Sequence, residues 1–510
     1  MPGAGANWND SSARIASIED ARAVSYTDPG TGEMLYHSYS FSYATGANGL
    51  QYLSGIVSYV DTPENYTFTV NQGQPLYSPA GVSFSTTSLL AGINVVYPPP
   101  YSYDTLYSYT FSYDTTLKDG DLTEVQFPQG GHLRWAYTNC TYGGPITVRE
   151  VQYRFLQSNT QKGEDTYTFT PGNGTSTTLD DPSGAERYWL YSGGWLSEIQ
   201  YRPSPGATPV RHEYYAWIQD PTSLNFYIGT LKTVLDEGKT WSQTTQTVQT
   251  QDSYGNVLTT QVYDYGNLNT PARTYSSTYL YQNNTNYSSR YIYNRLLTAT
   301  LTSANPQVTL VSNVYELGTL STTSSLPREW DAANYGTSFT YRGNVTYSST
   351  PGRTVRTSYD YTGTVVSQND NGHFVNVTTS AATNYTLPDK LDPNGTGQLP
   401  IQATYNSPNL APASIAGPNQ TLYNPNTQTG TAAYTAYDSL GRVAYTLAPS
   451  QSAGTAGAQT NYTYGYTAGA WTITATTANS GGGSHFTTTT LDGLGRTANV
   501  QSGFNTTAGV

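Results

Sequence analysis

Tyr107-Ser108-Tyr109-Thr110-Phe111-Ser112-Tyr113 places an aromatic ring at every second position and a hydroxyl residue between each pair. Successive side chains of a β-strand point to opposite faces, so this segment turns rings to one side and hydroxyls to the other. A helix would scatter the same rings around its axis. The pattern recurs at Tyr39-Phe41-Tyr43, Tyr66-Phe68-Val70 and Tyr462-Tyr464-Tyr466, again with Ser, Thr or Gly between. Aromatic and β-branched residues suit a pleated, half-buried surface, and Thr suits its wet side. Only Ala13 to Ala23 offers a stretch worth weighing as a helix. The expected class is all-β, built from repeated antiparallel hairpins.

The strands are punctuated by turn chemistry. Asn48-Gly49, Asn173-Gly174, Asn371-Gly372, Asn394-Gly395, Asp119-Gly120 and Asp492-Gly493 supply residues that tolerate positive φ. Tight primed hairpin turns need such pairs. Pro98-Pro99-Pro100 and the segment from Pro400 to Pro425 read as loops or seams between strands.

A longer unit lies over this punctuation. Asp438-Ser439-Leu440-Gly441-Arg442 returns as Asp492-Gly493-Leu494-Gly495-Arg496. Related forms are Asp252-Ser253-Tyr254-Gly255-Asn256, Tyr263-Asp264-Tyr265-Gly266-Asn267, Tyr359-Asp360-Tyr361-Thr362-Gly363 and Asp370-Asn371-Gly372-His373. In such a unit the Asp side chain caps its own turn, Gly takes the left-handed position, and Arg or Asn opens the next strand. The Tyr before it buries its ring while its hydroxyl reaches solvent or a backbone group. A second motif, Leu-x-x-[Ile/Val], runs Leu53 to Ile56, Leu122 to Val125, Leu196 to Ile199 and Leu231 to Val234. One hairpin cannot bury its own face, but a stacked series can, which predicts a quasi-one-dimensional array.

Composition narrows the partners. The chain has 510 residues, 48 of them Tyr, with 11% charged residues and a formal net charge of −12. A disordered chain would show few aromatics and many charges, so this one is expected to fold. No basic cluster exceeds two neighbouring cations, which argues against nucleic acid and anionic membranes as partners. The start, Met1 to Trp8, has no cationic or apolar export region, and no apolar run is long enough to span a bilayer. Cys140 stands alone, so no intramolecular disulfide or cysteine metal cage is possible, and it reads as a small buried hydrophobe.

Tyr437-Asp438-Ser439-Leu440-Gly441-Arg442-Val443 resembles the YD repeat of the Rhs family almost letter for letter. Tyr341-Arg342-Gly343-Asn344-Val345, Tyr359-Asp360 and Gly372-His373 look like its degenerate copies. Residues 1–245 form a β-rich region with looser repeats, and 246–510 a YD-repeat region continuous with it and truncated at its C-terminal side. The resemblance implies a hairpin ribbon coiled into a hollow cocoon. In bacterial polymorphic toxins this encloses a C-terminal effector, and related animal proteins of the teneurin type use such a shell in adhesion. The family's self-cleaving aspartates and variable toxin tip have no counterpart before Val510, so no toxin activity is expected of this chain. The implied partners are the remainder of such a polypeptide or an encapsulated effector, at a secreted or cell-surface location.

No catalytic constellation, metal site or cofactor motif stands against that reading. His37, His132, His212, His373 and His485 are scattered, and His373 reads as an exposed turn residue. Glu19-Asp20, Asp180-Asp181 and Asp236-Glu237 are neighbours on the chain, which on a strand point apart rather than converge. Gly481-Gly482-Gly483-Ser484 lacks the Lys and helix of a phosphate loop. Trp189, Trp195 and Trp217 are the best residues for a glycan platform, with core packing the competing reading. A carbohydrate-binding or adhesion module, and a secreted polysaccharide-active β enzyme, are the alternative functions.

Overall fold

Alternating sequence becomes one continuous meander. In the computed structural model, 33 strands among the described residues form a single sheet, and a separate pair joins Tyr26–Thr27 to Met34–Leu35. The structure describes residues 14–20, 26–27, 34–35, 38–59, 65–78, 81–96, 105–142, 146–158, 163–172, 174–322, 326–327, 330–406, 410–438, 441–450, 452, 457–467, 470–479 and 482–505. Met1 to Trp8, His37, Pro98-Pro99-Pro100, Asn173, Ser439, Leu440 and Gly481 lie outside them. Ser17–Glu19 pairs with Ser38–Thr45, and from there every strand pairs antiparallel with the next, ending at Thr497–Asn505. The strand Gln243–Gln251 pairs on both sides, so the ladder runs unbroken through residue 245. All four Leu-x-x-[Ile/Val] copies lie within strands.

Helix is confined to short loop pieces, Leu280–Gln282, Thr285–Ser288 and Ala381–Thr383, among the described residues. The stretch weighed as a helix instead contributes the strand Ser17–Glu19. No helix among the described residues is long and apolar enough to cross a membrane.

The commonest tight turn is not the two-residue primed type. Five-residue turns recur at Gly46–Leu50, Phe127–Gly131, Asp181–Ala185, Asp252–Asn256, Asp360–Thr364, Asp438–Arg442 and Asp492–Arg496. In each, the first amide donates to the fifth carbonyl, and the fourth amide donates back to the first carbonyl. The fourth residue is Gly at positive φ every time, from 71° at Gly441 to 91° at Gly363. Positive φ at Asp492-Gly493 therefore falls on Gly495, not Gly493, because the bend is one residue longer than the dipeptide suggests. Asn371-Gly372 does form a two-residue loop, with φ of 50° and 93°, between Val365–Asp370 and His373–Thr379.

Cys140 is half-buried on the strand His132–Tyr142 rather than buried, because alternate residues of a one-layer ribbon keep partial contact with solvent.

Candidate functional site

A meander has two rims where its strands turn. The first rim carries the turns at 252–256, 360–364, 438–442 and 492–496, together with the long loops 280–295 and 316–344. The second carries those at 127–131, 181–185, 264–272 and 371–372.

On the first rim the repeat residues build a regular clasp. One carboxylate oxygen of Asp252 accepts the amides of Tyr254 and Asn256, both at 2.9 Å. Asp360 does the same for Thr362 and Thr364, at 2.9 and 3.0 Å, and Asp492 for Leu494 and Arg496, at 3.0 and 2.9 Å. The second oxygen takes the side chain of the fifth residue: Asn256 at 2.9 Å, and the Nε of Arg442 and Arg496 at 2.8 and 2.9 Å. This is why Asn or Arg follows the Gly.

Tyrosines at the ends of alternate strands complete the clasp. Tyr279, Tyr315, Tyr359 and Tyr437 donate their hydroxyls to the carbonyls of Val257, Leu296, Val345 and Pro412, at 2.7–3.0 Å. Each acceptor is the first residue of the preceding strand, so one hydroxyl ties two strands at their rim. Burial pushes the hydroxyls of Tyr279, Tyr315 and Tyr359 above the ordinary phenol range.

Two expected copies depart from this geometry. Tyr263-Asp264 sits on the second rim; Gly266 has φ of 81°, but Asp264 pairs with Arg273 at 2.8 Å instead of capping its turn. Asp370 pairs with Arg353 of the adjacent strand Arg353–Tyr359 at 2.7 Å, and His373, across the Asn371-Gly372 loop, is exposed. Tyr341-Arg342-Gly343-Asn344 is not a hairpin at all. There Glu316 supplies the carboxylate, accepting the amides of Arg342 and Asn344 at 3.0 and 2.7 Å.

The ribbon also meets itself. Gly131, on the second rim, donates its amide to the carbonyl of Gly493 on the first, at 2.9 Å, and Gly493 donates to Ser158. The Trp471 indole donates to the Pro128 carbonyl at 3.1 Å and stacks on Tyr107 at 5.3 Å between centroids. Arg442 reaches from its clasp to the Tyr107 hydroxyl at 3.3 Å. The partners of these last two hydrogen bonds lie 343 and 335 residues apart. A Cβ on Gly493 would stand 2.5 Å from the Gly131 nitrogen and 2.8 Å from the Ser158 oxygen, so close approach of two backbones requires glycine here.

From the loop at 127–131 to the loop at 492–496 there are 25 strands, and from Ser158 to that same loop 23. The upper loop thus seats between two lower ones, after a circuit of about 24 strands. At about 4.8 Å per strand this is a circumference of about 115 Å, or about 37 Å across if round. The sheet is an open coil whose second pass rests on its first.

The tryptophans divide. Trp195 and Trp217 approach to 5.1 Å, Phe226 lies 4.4 Å from Trp195, and the Trp217 indole donates to the Leu196 carbonyl at 2.7 Å. Trp195 is 41% exposed. Trp189 shares their face by register but makes its cation–π contact with Arg187 instead.

One polar cluster escaped the sequence reading. His212, buried in the strand Arg211–Gln219, faces Glu198 with Nε2 at 2.9 Å and Glu237 with Nδ1 at 2.5 Å. Tyr214 stacks on its ring and donates to Glu237 at 2.8 Å. Burial pushes Glu237 up, yet the hydrogen bonds from His212 and Tyr214 outweigh it and leave the carboxyl below its ordinary value. Glu237, in the turn after the strand Phe226–Leu235, thus ties that turn to His212 and Tyr214. Among the described residues, no group of three His, Cys, Asp or Glu is arranged to hold a metal ion.

No family model matches the chain, and no curated protein matches it. Solved structures do. It is similar to the crystal structure of TcdB2-TccC3 without its hypervariable C-terminal region, at 13% identity and a TM-score of 0.34, covering 90% of this chain and 22% of that one. TcdB2-TccC3-Cdc42 matches at 12% identity and a TM-score of 0.27, over 94% of this chain and 27% of the other. The Photorhabdus luminescens Tc holotoxin pore matches at 11% and 0.23, over 93% and 26%. The chain thus spans about a quarter of the length of the chains it matches.

Proposed function

We propose that this chain is a non-catalytic wall segment of an Rhs/YD-repeat type shell, secreted or displayed at a cell surface. Its role is to enclose or present another part of its own polypeptide or an effector. The observation carrying this reading is the self-contact of the ribbon: main-chain bonds between Gly131, Ser158 and Gly493 after a full circuit. A flat sheet would not need it, and a compact β-sandwich would bury one sheet face on another instead. Clasped tyrosines and aspartates that engage their own turns serve wall rigidity, since their polar atoms are spent on the fold.

Electron microscopy of the purified chain, with small-angle scattering, tests the reading. A hollow ring or short coil about 37 Å across at the backbone is expected. A solid globule or separate beads would overturn it. The absence of catalysis is tested by incubation with a broad polysaccharide panel, where any reproducible cleavage that survives repurification would refute the structural role as the sole one.

A further inference from the structure

The hairpin rhythm is interrupted on the first rim by two neighbouring loops, 280–295 and 316–344. The second, with the strands Val345–Thr350 and Arg353–Tyr359, lines a cavity of about 370 Å³, within the range of small-ligand sites. Its lining includes Leu317, Thr319, Thr337, Thr340, Tyr341 and Ser358. The hydroxyls of Thr319, Thr337, Thr340 and Ser358 make no side-chain hydrogen bond among the described residues.

The walls are fixed at a cost in backbone strain. Glu316 and Tyr341 hold φ of 49° and 60°, conformations that bulky residues rarely adopt. Glu316 pins them by accepting two amides and the Tyr287 hydroxyl. Tyr287 in turn packs edge-on against Tyr341, at 5.5 Å.

The charges nearby are already engaged. Arg290 bonds the carbonyls of Thr340 and Tyr341. Arg342 bonds those of Tyr335, Gly336, Phe339 and Tyr361. The Phe339 ring lies between the two guanidiniums. A ligand therefore meets hydroxyls, a leucine and aromatic rings, with Glu316 disfavouring an anion. The neighbouring loop 280–295 and the turn 252–256 carry further exposed tyrosines outside the cavity. Tyr291 is 84% exposed, and Tyr254, 51% exposed, stacks on Tyr293 at 3.7 Å with 7° between planes.

We infer that this rim cavity binds an uncharged pyranose unit of a glycan. Sugar hydroxyls pair with the threonine and serine hydroxyls, and the C–H face of the ring lies on tyrosine. This site is separate from Trp195 and Trp217, and it does not depend on the wall reading.

Saturation-transfer NMR with glucose, galactose, mannose and N-acetylglucosamine tests it, with N-acetylneuraminic acid as the charged probe. Two variants at exposed positions, Thr319→Trp to plug the cavity and Thr337→Val to remove one of its hydroxyls, are compared after their melting temperatures match the parent. Saturable transfer to at least one neutral sugar is expected, abolished in Thr319→Trp, weakened several-fold in Thr337→Val, and absent for the charged sugar. Silence from all four neutral sugars, persistence in the plugged variant, or equal transfer to the charged sugar would overturn the assignment.

Discussion

Replacing Gly493 by Ala pits one methyl group against two backbones. The new Cβ stands 2.5 and 2.6 Å from the nitrogen and Cα of Gly131 and 2.8 Å from the Ser158 oxygen, none of which belongs to a movable side chain. The coil must part locally to admit it. Parting forfeits the two main-chain bonds at Gly493 and the indole bond to Pro128, each worth about 1 kcal/mol net. It also loosens the Tyr107–Trp471 stack, worth about 0.5–1.5 kcal/mol. The expected cost is about 3–5 kcal/mol, confined to the seam. Gly495→Ala, two residues on, is the control. It sits at φ of 80° with only the Gln129 side chain nearby, at 3.7 Å, so it incurs strain of about 1–2 kcal/mol without a clash. Hydrogen exchange read by mass spectrometry is the assay. In Gly493→Ala, peptides containing Gly131 and Gly493 should lose protection while central strands such as Phe226–Leu235 keep theirs. Equal protection in both variants, or a smaller effect at Gly493 than at Gly495, would refute a seam built on backbone contact.

Tyr279→Phe, Tyr315→Phe and Tyr359→Phe should each cost about 1 kcal/mol in chemical denaturation and add nearly linearly, because each clasp is a separate repeat. Asp252 and Asp492 are pushed up by burial but held net below their ordinary value of 3.8 by the hydrogen bonds they accept. Their stabilisation is therefore complete above pH about 4 and lost as pH falls through the lowered folded value; acid melting curves of Asp252→Asn and Asp492→Asn should be flatter there than the parent's. Trp217→Ala should destabilise by about 3 kcal/mol and Trp195→Ala by clearly less, as measured by urea unfolding, since Trp217 is half-buried with its indole bonded.

The β class, the Leu-x-x-[Ile/Val] strands and the Asp-to-Gly clasp were legible because each is local: period two, or five consecutive residues, carries the information. Even the half-buried ring and bonded hydroxyl of Tyr359 follow from its place before Asp360. The seam was not legible. Nothing local at Gly493 distinguishes a glycine needed for close approach from one needed for a bend, and Gly131 is the last residue of a turn whose own sequence names no distant partner. The Glu198–His212–Glu237 cross-link needs strand register, which bulges such as that between Ala216 and Trp217 reset. The cavity loops escaped for a similar reason. Glu316 imitates the turn aspartate from 26 residues away, so Tyr341-Arg342-Gly343-Asn344 looked like a repeat while serving a different bend.

The seating of the 492–496 loop between Gly131 and Ser158 makes the coil behave like a gear whose teeth are hairpins. A tooth finds a gap only when the circuit holds an even number of strands, and a hairpin contributes two. Gain or loss of a whole hairpin thus keeps the passes meshed while changing the girth by about 10 Å, or about 3 Å in bore. A ribbon of this design can be rescaled to a larger or smaller content in fixed steps, without redesigning the contact that holds its turns together.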